Sequence, residues 1–258
     1  IGYLISIKNK NDVIIETDDD NYPKDNFLKN IKSTKKVNEI KNVGWVNVYK
    51  KFLNNNEDIW PRGLPLNEIK KIPIFKSKKI KKNFYLQQGV CEGNPDVDAI
   101  YRIINKKINI KFKENYEFSS GKSFSPINSQ NTIWFKKLFP LMYLPVTCTM
   151  RTTDIWRGII ALNIILNDNL SILFFGTTMK QLRNIHNLTN DLEQEMPLYK
   201  DIFDGFKKLQ NLNLKKNSKN YTYNLLKSYD ALIEMKIFDK KEIFFLKAWI
   251  KDIKKIFN

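Results

Sequence analysis

The sequence predicts an α/β protein that continues into a helical C-terminal part. Short β-branched or aromatic runs bounded by polar residues recur through the first two thirds of the chain, and such runs are typical of buried strands. Between them, apolar residues repeat with helical spacing, and alternating strand and helix patterns favour an α/β sheet. Beyond about residue 189 only helical spacing continues. We therefore predict an α/β domain over 1–190 and a helical extension over 191–258.

Individual elements follow from the same patterns. The predicted strands cover residues 12–17, 44–49, 84–88, 108–112 and 170–175, and the predicted helices cover 96–105 and 153–167. The second helix carries Ile155, Ile159 and Leu162 on one stripe. The chain opens at Ile1 with what looks like the end of an amphipathic helix. From that start we expect a fragment, or a chain processed at its N-terminus.

Composition restricts the class of protein. With 258 residues and 42% hydrophobic content the chain can build a sizeable core, and 44 Lys+Arg against 27 Asp+Glu give a net charge of +17. This charge favours anionic ligands in general and names no partner. The lysine runs lack interleaved aromatic residues, so we expect no specific nucleic-acid partner. No apolar run is long enough to span a bilayer, and the two cysteines form no ligand motif, so we expect a soluble, cytoplasmic chain.

An acidic triplet is the strongest chemical signal. Asp18, Asp19 and Asp20 directly follow the predicted strand 12–17. Adjacent carboxylates raise one another's pKa unless a cation neutralises them, and Mg²⁺ or Mn²⁺ prefers such oxygen ligands. In extended backbone, Asp18 and Asp20 would lie on the same side. The triplet could also be a simple acidic turn, but the carboxyl end of an α/β strand is where such sheets bind ligands.

A second candidate segment is 150–158, at the start of the predicted helix 153–167. Asp154 falls in the first turn, where the helix dipole favours a carboxylate. Arg151 and Arg157 could face phosphates, and Trp156 could offer a flat face to a sugar or base. Alternatively, Asp154 only stabilises the helix start and Trp156 is a core residue.

Two loops complete the set of candidates. Asp96 and Asp98 open the predicted helix 96–105 after a Gly/Pro turn. Helix capping explains one carboxylate, whereas a pair suggests contact with an acceptor hydroxyl. Asn128 and Gln130 lie in a polar run that would line a sugar pocket or make a turn.

Several motifs together resemble a known family. They are ETDDDN at 16–21, IWPRGLPL at 59–66, QQG at 87–89, GNPDVDAIYR at 93–102, NSQNT at 128–132 and MRTTDIWRG at 150–158. In order and spacing they resemble the STELLO family of glycosyltransferases. More distantly, the DDD strand end and the Arg-x-x-Asp-x-Trp-x-Gly pattern are similar to the reversibly glycosylated polypeptides, which act as UDP-arabinopyranose mutases.

The resemblance implies a GT-A-like nucleotide-diphospho-sugar transferase domain over 1–190 without its N-terminal strand, helix and strand. The expected activity is metal-dependent transfer from a nucleotide sugar to an unidentified acceptor, with a noncatalytic scaffold or a nucleotide-sugar mutase as alternatives. The expected roles are metal binding by Asp18 and Asp20, donor binding by Asp19, Arg151, Trp156 and Arg157, catalysis by Asp154, and an acceptor pocket of Asp96, Asp98, Asn128 and Gln130. The metal would be Mn²⁺ or Mg²⁺. Plant members of this family are Golgi proteins, and that location is not carried over.

Overall fold

A computed structural model describes residues 1–29, 31–55, 57–105, 108–184 and 186–257 and shows helices arranged around a central mixed sheet. The helices are α1 (Gly2–Lys8), α2 (Tyr49–Phe52), α3 (Ala99–Ile104), α4 (Thr153–Asn167), α5 (Leu188–Gln210), α6 (Tyr221–Glu234) and α7 (Glu242–Phe257). The strands are β1 (Val13–Thr17), β2 (Asn21–Pro23), β3 (Thr34–Glu39), β4 (Val43–Trp45), β5 (Ile80–Asn83), β6 (Leu86–Gly93), β7 (Glu117–Ser119), β8 (Lys122–Phe124), β9 (Asn131–Phe135) and β10 (Leu173–Gln181). The prediction of an α/β protein is confirmed.

Strand directions bring several loops to one edge of the sheet. The strand order is β1-β9-β6-β10-β7-β3-β5, with β2 added beside β10, while β4 and β8 form a separate pair. Strand β9 runs antiparallel to both β1 and β6, and β6 runs parallel to β10. The carboxyl ends of β1, β6 and β10 and the start of β9 therefore lie together. We call this side of the sheet the carboxyl edge.

Helix α4 forms the centre of the core. Its side chains from Asp154 to Ile165 are all buried, because apolar residues surround most of the helix. At Gly158 a Cβ atom would lie 2.2 Å from the backbone oxygen of Ile127, so only glycine permits this approach. The close approach holds the first turns of α4 against the loop that precedes β9.

The C-terminal helices share this core. Leu198 of α5, Leu232 of α6 and Leu246 of α7 belong to the same cluster of buried side chains as Ile160 of α4. Within the described residues, no helix is both long enough and apolar enough to cross a membrane. The division of the chain at residue 190 stays a prediction.

Most predicted elements are present, and one is wrong. Residues 12–17, 84–88 and 170–175 contain or overlap β1, β6 and β10, and 153–167 is α4. The segment 44–49 holds the end of β4 and the start of α2. In contrast, 108–112 makes a single bridge between Ile110 and Gly93 instead of a strand. Its alternating pattern is real, since Ile110 and Phe112 are buried, but these side chains enter the core from a loop.

Candidate functional site

The carboxyl edge brings together residues from distant parts of the chain. Asp18 and Asp20 follow β1, and Asp96 lies in the loop after β6. Gln130 directly precedes β9, and Gln181 ends β10. Asp154, in the first turn of α4, approaches from one face of the sheet. Most of the carboxylates and amides predicted from the sequence therefore lie at this edge.

Arg62 occupies the centre of the cluster. Its Nε and Nη2 donate to the two carboxylate oxygens of Asp96 at 2.8 and 3.0 Å. Its Nη1 and Nη2 also donate to Asp154, at 3.2 and 3.1 Å. A two-pronged contact of this kind fixes both position and orientation. One guanidinium group therefore holds two carboxylates that are far apart in sequence.

A strained turn places Arg62 there. Gly63 has a φ of +82°, and a Cβ atom at this position would lie 2.5 Å from Cγ2 of Ile155 in α4. Glycine alone adopts that backbone conformation without cost and leaves room for the helix. The loop can thus press against α4 and direct Arg62 between Asp96 and Asp154.

Amide side chains extend the network towards β1. Asn128 Nδ2 donates to Asp96 at 2.7 Å, and Gln130 Oε1 accepts from the backbone N–H of Asp96 at 3.2 Å. Gln130 then donates to Gln181 at 2.8 Å, and Gln181 donates to Asp20 Oδ1 at 2.8 Å. Asp20 and Asp96 are therefore linked through two amide side chains.

The cluster carries excess negative charge around Asp18. Burial, and after it the charges of Asp96, Asp154 and Asp20, raise the pKa of Asp18 to about 7 against the opposing effect of Arg62. Asp96 behaves in the opposite way. Although burial opposes its ionisation, the charge and hydrogen bonds of Arg62 hold the pKa of Asp96 below its usual value. Of these carboxylates, Asp18 thus has the most to gain from a bound cation.

The side-chain oxygens at the carboxyl edge are the type of ligand that a hard divalent cation prefers, but there are too few of them to hold the cation alone. Within the described residues, no three His, Cys, Asp or Glu side chains gather as a metal-binding group. Asp20 offers one oxygen beyond the one that Gln181 binds, and Asp18 offers its carboxylate. Mg²⁺ is commonly held by one or two carboxylates together with substrate phosphates and water. Asp18 and Asp20 match that incomplete type of site.

Positive side chains lie beside the acidic cluster. Arg151 Nε donates to Glu195 at 2.9 Å, and Arg183 Nη2 lies 3.1 Å from Asp191. Burial lowers the pKa of Arg183, and the neighbouring positive charge of Arg151 lowers it further. Arg183 also borders a cleft of about 400 Å³ together with Lys180. This cleft lies at the ends of β6 and β10, next to Gln181.

Asp98 connects the start of α3 to the loop that carries Trp60. It caps the N-terminus of α3 by accepting from the backbone N–H of Tyr101 at 2.7 Å, and it accepts from Trp60 Nε1 at 2.6 Å. Burial raises the pKa of Asp98 to about 6 in spite of these bonds. Its carboxylate oxygens are thus already used by the loop and the helix.

Trp156 and Arg157 lie in the core, where both side chains are buried. The Trp156 indole is fully buried and packs edge-on against Phe238, at 5.9 Å between ring centres. Arg157 is 1% exposed, forms an ion pair with Glu16 and lies over the ring of Trp134 at 5.1 Å. Because α4 is buried on nearly all sides, these two side chains offer no surface to a donor. The donor-binding role expected for both residues therefore stays a prediction, which their burial does not support.

The other candidates differ in exposure. Asp19 is exposed at the tip of the turn that follows β1. The single histidine of the sequence, His186, lies 3.5 Å from Asp191, the carboxylate that also pairs with Arg183.

Some residues of the site were missed from the sequence. Arg62, Gln88 and Gln181 all bind predicted site residues, and Gln88 Nε2 donates to Asn128 at 2.9 Å. In the sequence, Arg62 stands out only as the single charged residue of the apolar, proline-containing segment 59–66. Gln181 gave no signal, because its role depends on where β10 ends.

Comparisons with known proteins show similarity to one family. The family model described as "STELLO glycosyltransferases" matches residues 151–258, a range that starts at Arg151, includes Asp154 and covers the C-terminal helices. "Probable glycosyltransferase STELLO2" of Arabidopsis thaliana is 31% identical over 126 residues, which are 44% of this chain and 16% of that relative. "Probable glycosyltransferase STELLO1" of the same plant is 30% identical over 126 residues, covering 44% of this chain and 15% of the relative.

Residues 151–258, less than half of the chain, are thus similar to a family described as glycosyltransferases. The resemblance to the STELLO family seen in the motifs is thus supported over this part of the chain. The chain matches less than a fifth of the length of these two relatives, 16% and 15%.

Proposed function

We propose that the protein is a metal-dependent glycosyltransferase with a GT-A-like fold and a nucleotide-diphosphate sugar as donor. The main support is the set of four carboxylates at the carboxyl edge, Asp18, Asp20, Asp96 and Asp154, of which Arg62 binds two. Together, these carboxylates carry more negative charge than the single positive charge of the Arg62 guanidinium group can balance. A divalent cation and the phosphates that it attracts would complete such a site.

The donor end of the site involves three kinds of group. Asp18 and Asp20 would hold Mn²⁺ or Mg²⁺, and a cation there supplies charge stabilisation for the departing diphosphate. Lys180 and Arg183, which border the cleft beside Gln181, would bind phosphate oxygens by charge-assisted hydrogen bonds. Arg151 adds positive charge nearby. Asp19 is exposed and would contact the ribose or the sugar.

Asp154 is better suited to sugar binding than to proton abstraction. Both of its oxygens accept from Arg62, and Oδ2 also accepts from the backbone N–H of Ser129 at 3.2 Å. These donors fix the orientation of the carboxylate and already occupy both of its oxygens. We assign Asp154 to orienting a sugar hydroxyl, with Asp96, Asn128 and Gln130 as the adjoining polar wall.

A noncatalytic scaffold on the same fold is the second candidate. Two observations favour it: Arg62 already neutralises much of the charge of Asp96 and Asp154, and the described residues contain no complete group of three metal ligands. Such a protein would keep the cluster as a structural network and would act through its helical surface.

A ligand-binding screen separates the two candidates. Thermal unfolding is measured with a panel of nucleotide sugars, with Mn²⁺ and then with EDTA. An enzyme of the proposed kind is stabilised by one donor only when Mn²⁺ is present, and the double variant Asp18→Asn, Asp20→Asn loses this shift. The matched control replaces the exposed Asp12 and Asp25 by Asn and keeps it. If no nucleotide sugar shifts the wild-type transition, the scaffold is favoured.

A further inference from the structure

A second cleft lies at the end of the sheet opposite the carboxyl edge. Strand β3 runs parallel to β7, and β7 runs antiparallel to β10, so the end of β3 meets the start of β10. Strand β10 has 9 residues, which at about 3.3 Å per residue separate its two ends by roughly 26 Å. The cleft has a volume of about 480 Å³. It is therefore well separated from Asp18 and its neighbours.

Four lysines border this cleft, and one buried carboxylate anchors two of them. Glu39 is 4% exposed and forms ion pairs with Lys76 and Lys82, the second at 3.0 Å. Lys41 and Lys122 also border the cleft, and within the described residues neither has a carboxylate within 4 Å. The four ammonium groups and one carboxylate give a local charge of about +3 when all are ionised.

The remaining walls of the cleft are apolar and amide groups. Val43 and Leu170 form an apolar part above the buried Ile40 and Phe124, and Asn42 with Ser171 adds hydrogen-bonding groups. The C-terminal end of α4 also borders the cleft, but its last carbonyls accept from the N–H groups of residues 168–170. These hydrogen bonds within the chain satisfy the carbonyl groups that carry the partial negative charge of the helix end. A volume in this range suits a small molecule.

We propose that this cleft binds a small organic phosphate, with the phosphate group at Lys41 and Lys122 and the apolar part against Val43 and Leu170. Glu39 holds Lys76 and Lys82 at the rim, so that they add positive charge without collapsing into the cleft. The proposal is independent of the proposed transferase activity, because it uses none of the residues at the carboxyl edge.

A ligand-observed NMR titration tests this site. The probe is phenyl phosphate, compared with inorganic phosphate, at low salt and with EDTA. We expect phenyl phosphate to bind the wild-type chain more tightly than inorganic phosphate. We also expect the double variant Lys41→Gln, Lys122→Gln to weaken phenyl phosphate binding at least tenfold, because two charged contacts are lost.

Two control variants locate the binding. The pair Lys251→Gln, Lys254→Gln removes the same charge from exposed positions on α7, and Lys180→Gln removes one from the cleft beside Gln181. The α7 pair should stay within twofold of the wild-type affinity, and Lys180→Gln should weaken binding less than the Lys41→Gln, Lys122→Gln variant does. Absence of wild-type binding, an equal loss in the α7 pair, or a loss confined to Lys180→Gln would each overturn the proposal. Circular dichroism and the melting temperature check that each variant is folded.

Discussion

Arg62 binds Asp96 through two parallel hydrogen bonds of 2.8 and 3.0 Å, and the same guanidinium group reaches Asp154. Arg62 and Asp96 are 34 residues apart in sequence, and Arg62 and Asp154 are 92 apart. All three side chains are buried. The contact therefore joins the loop before α3, the turn at Gly63 and the start of α4 into one rigid unit.

Replacing Arg62 should destabilise the fold. Arg62→Met leaves Asp96 and Asp154 buried without their cation, and such a loss costs about 3–5 kcal/mol. Arg62→Lys keeps the charge but cannot make the forked contact, so we expect an intermediate loss of about 1–3 kcal/mol. Urea denaturation gives both values. The control is Lys208→Met, which removes a charge from the exposed ion pair with Glu234 and should change the free energy of unfolding by less than about 1 kcal/mol. A loss below 1 kcal/mol for Arg62→Met would show that the ion pairs of Arg62 with Asp96 and Asp154 contribute little to the stability of the fold.

Asp18 should make stability fall as the pH rises. Its usual pKa of 3.8 applies to the unfolded chain, and the folded value is about 7, so the folded state binds this proton more tightly. Below pH 4 both states are protonated and Asp18 contributes nothing. Between pH 4 and 7 only the unfolded state loses the proton, so stability is lost, and above pH 7 the loss is complete.

The variant Asp18→Asn isolates this effect in metal-free buffer with EDTA. At pH 8 it should be more stable than the wild type by about 1–3 kcal/mol, and near pH 4 the two should be equal. Asp19→Asn is the control, because its exposed carboxylate makes the same change in charge. A pH-independent difference between Asp18→Asn and the wild type would contradict the assigned pKa.

Trp156 should act on stability and not on ligand binding. Trp156→Ala removes a fully buried indole and should cost about 3–5 kcal/mol, whereas Trp156→Phe should cost less, because it keeps most of the ring contact with Phe238. Phe244→Ala on α7 is the control, since Phe244 is 71% exposed and should have little effect. If Trp156→Phe is as stable as the wild type but no longer binds a nucleotide sugar, Trp156 contributes to ligand binding and this prediction is wrong.

The sequence predicted the acidic part of the site because strand ends can be recognised locally. The apolar run before Asp18 marked a strand, and the Gly/Pro turn before Asp96 marked a loop. The role of Arg62 could not be predicted, because it depends on partners 34 and 92 residues away. The burial of Trp156 and Arg157 could not be predicted for a related reason. Their motif was visible, but the burial of α4 on nearly every side depends on helices α5 and α6, which pack against it.

Binding of a nucleoside diphosphate together with Mn²⁺ is the most direct test of the account. Isothermal titration of UDP and GDP, each with and without Mn²⁺, is carried out on the wild type and on the variant Asp18→Asn, Asp20→Asn. We predict that at least one of the nucleotides binds the wild type only with Mn²⁺, and that the variant binds it at least tenfold more weakly. Equal binding by both proteins, or binding that does not change when Mn²⁺ is removed, would contradict a metal-dependent donor site at the carboxyl edge.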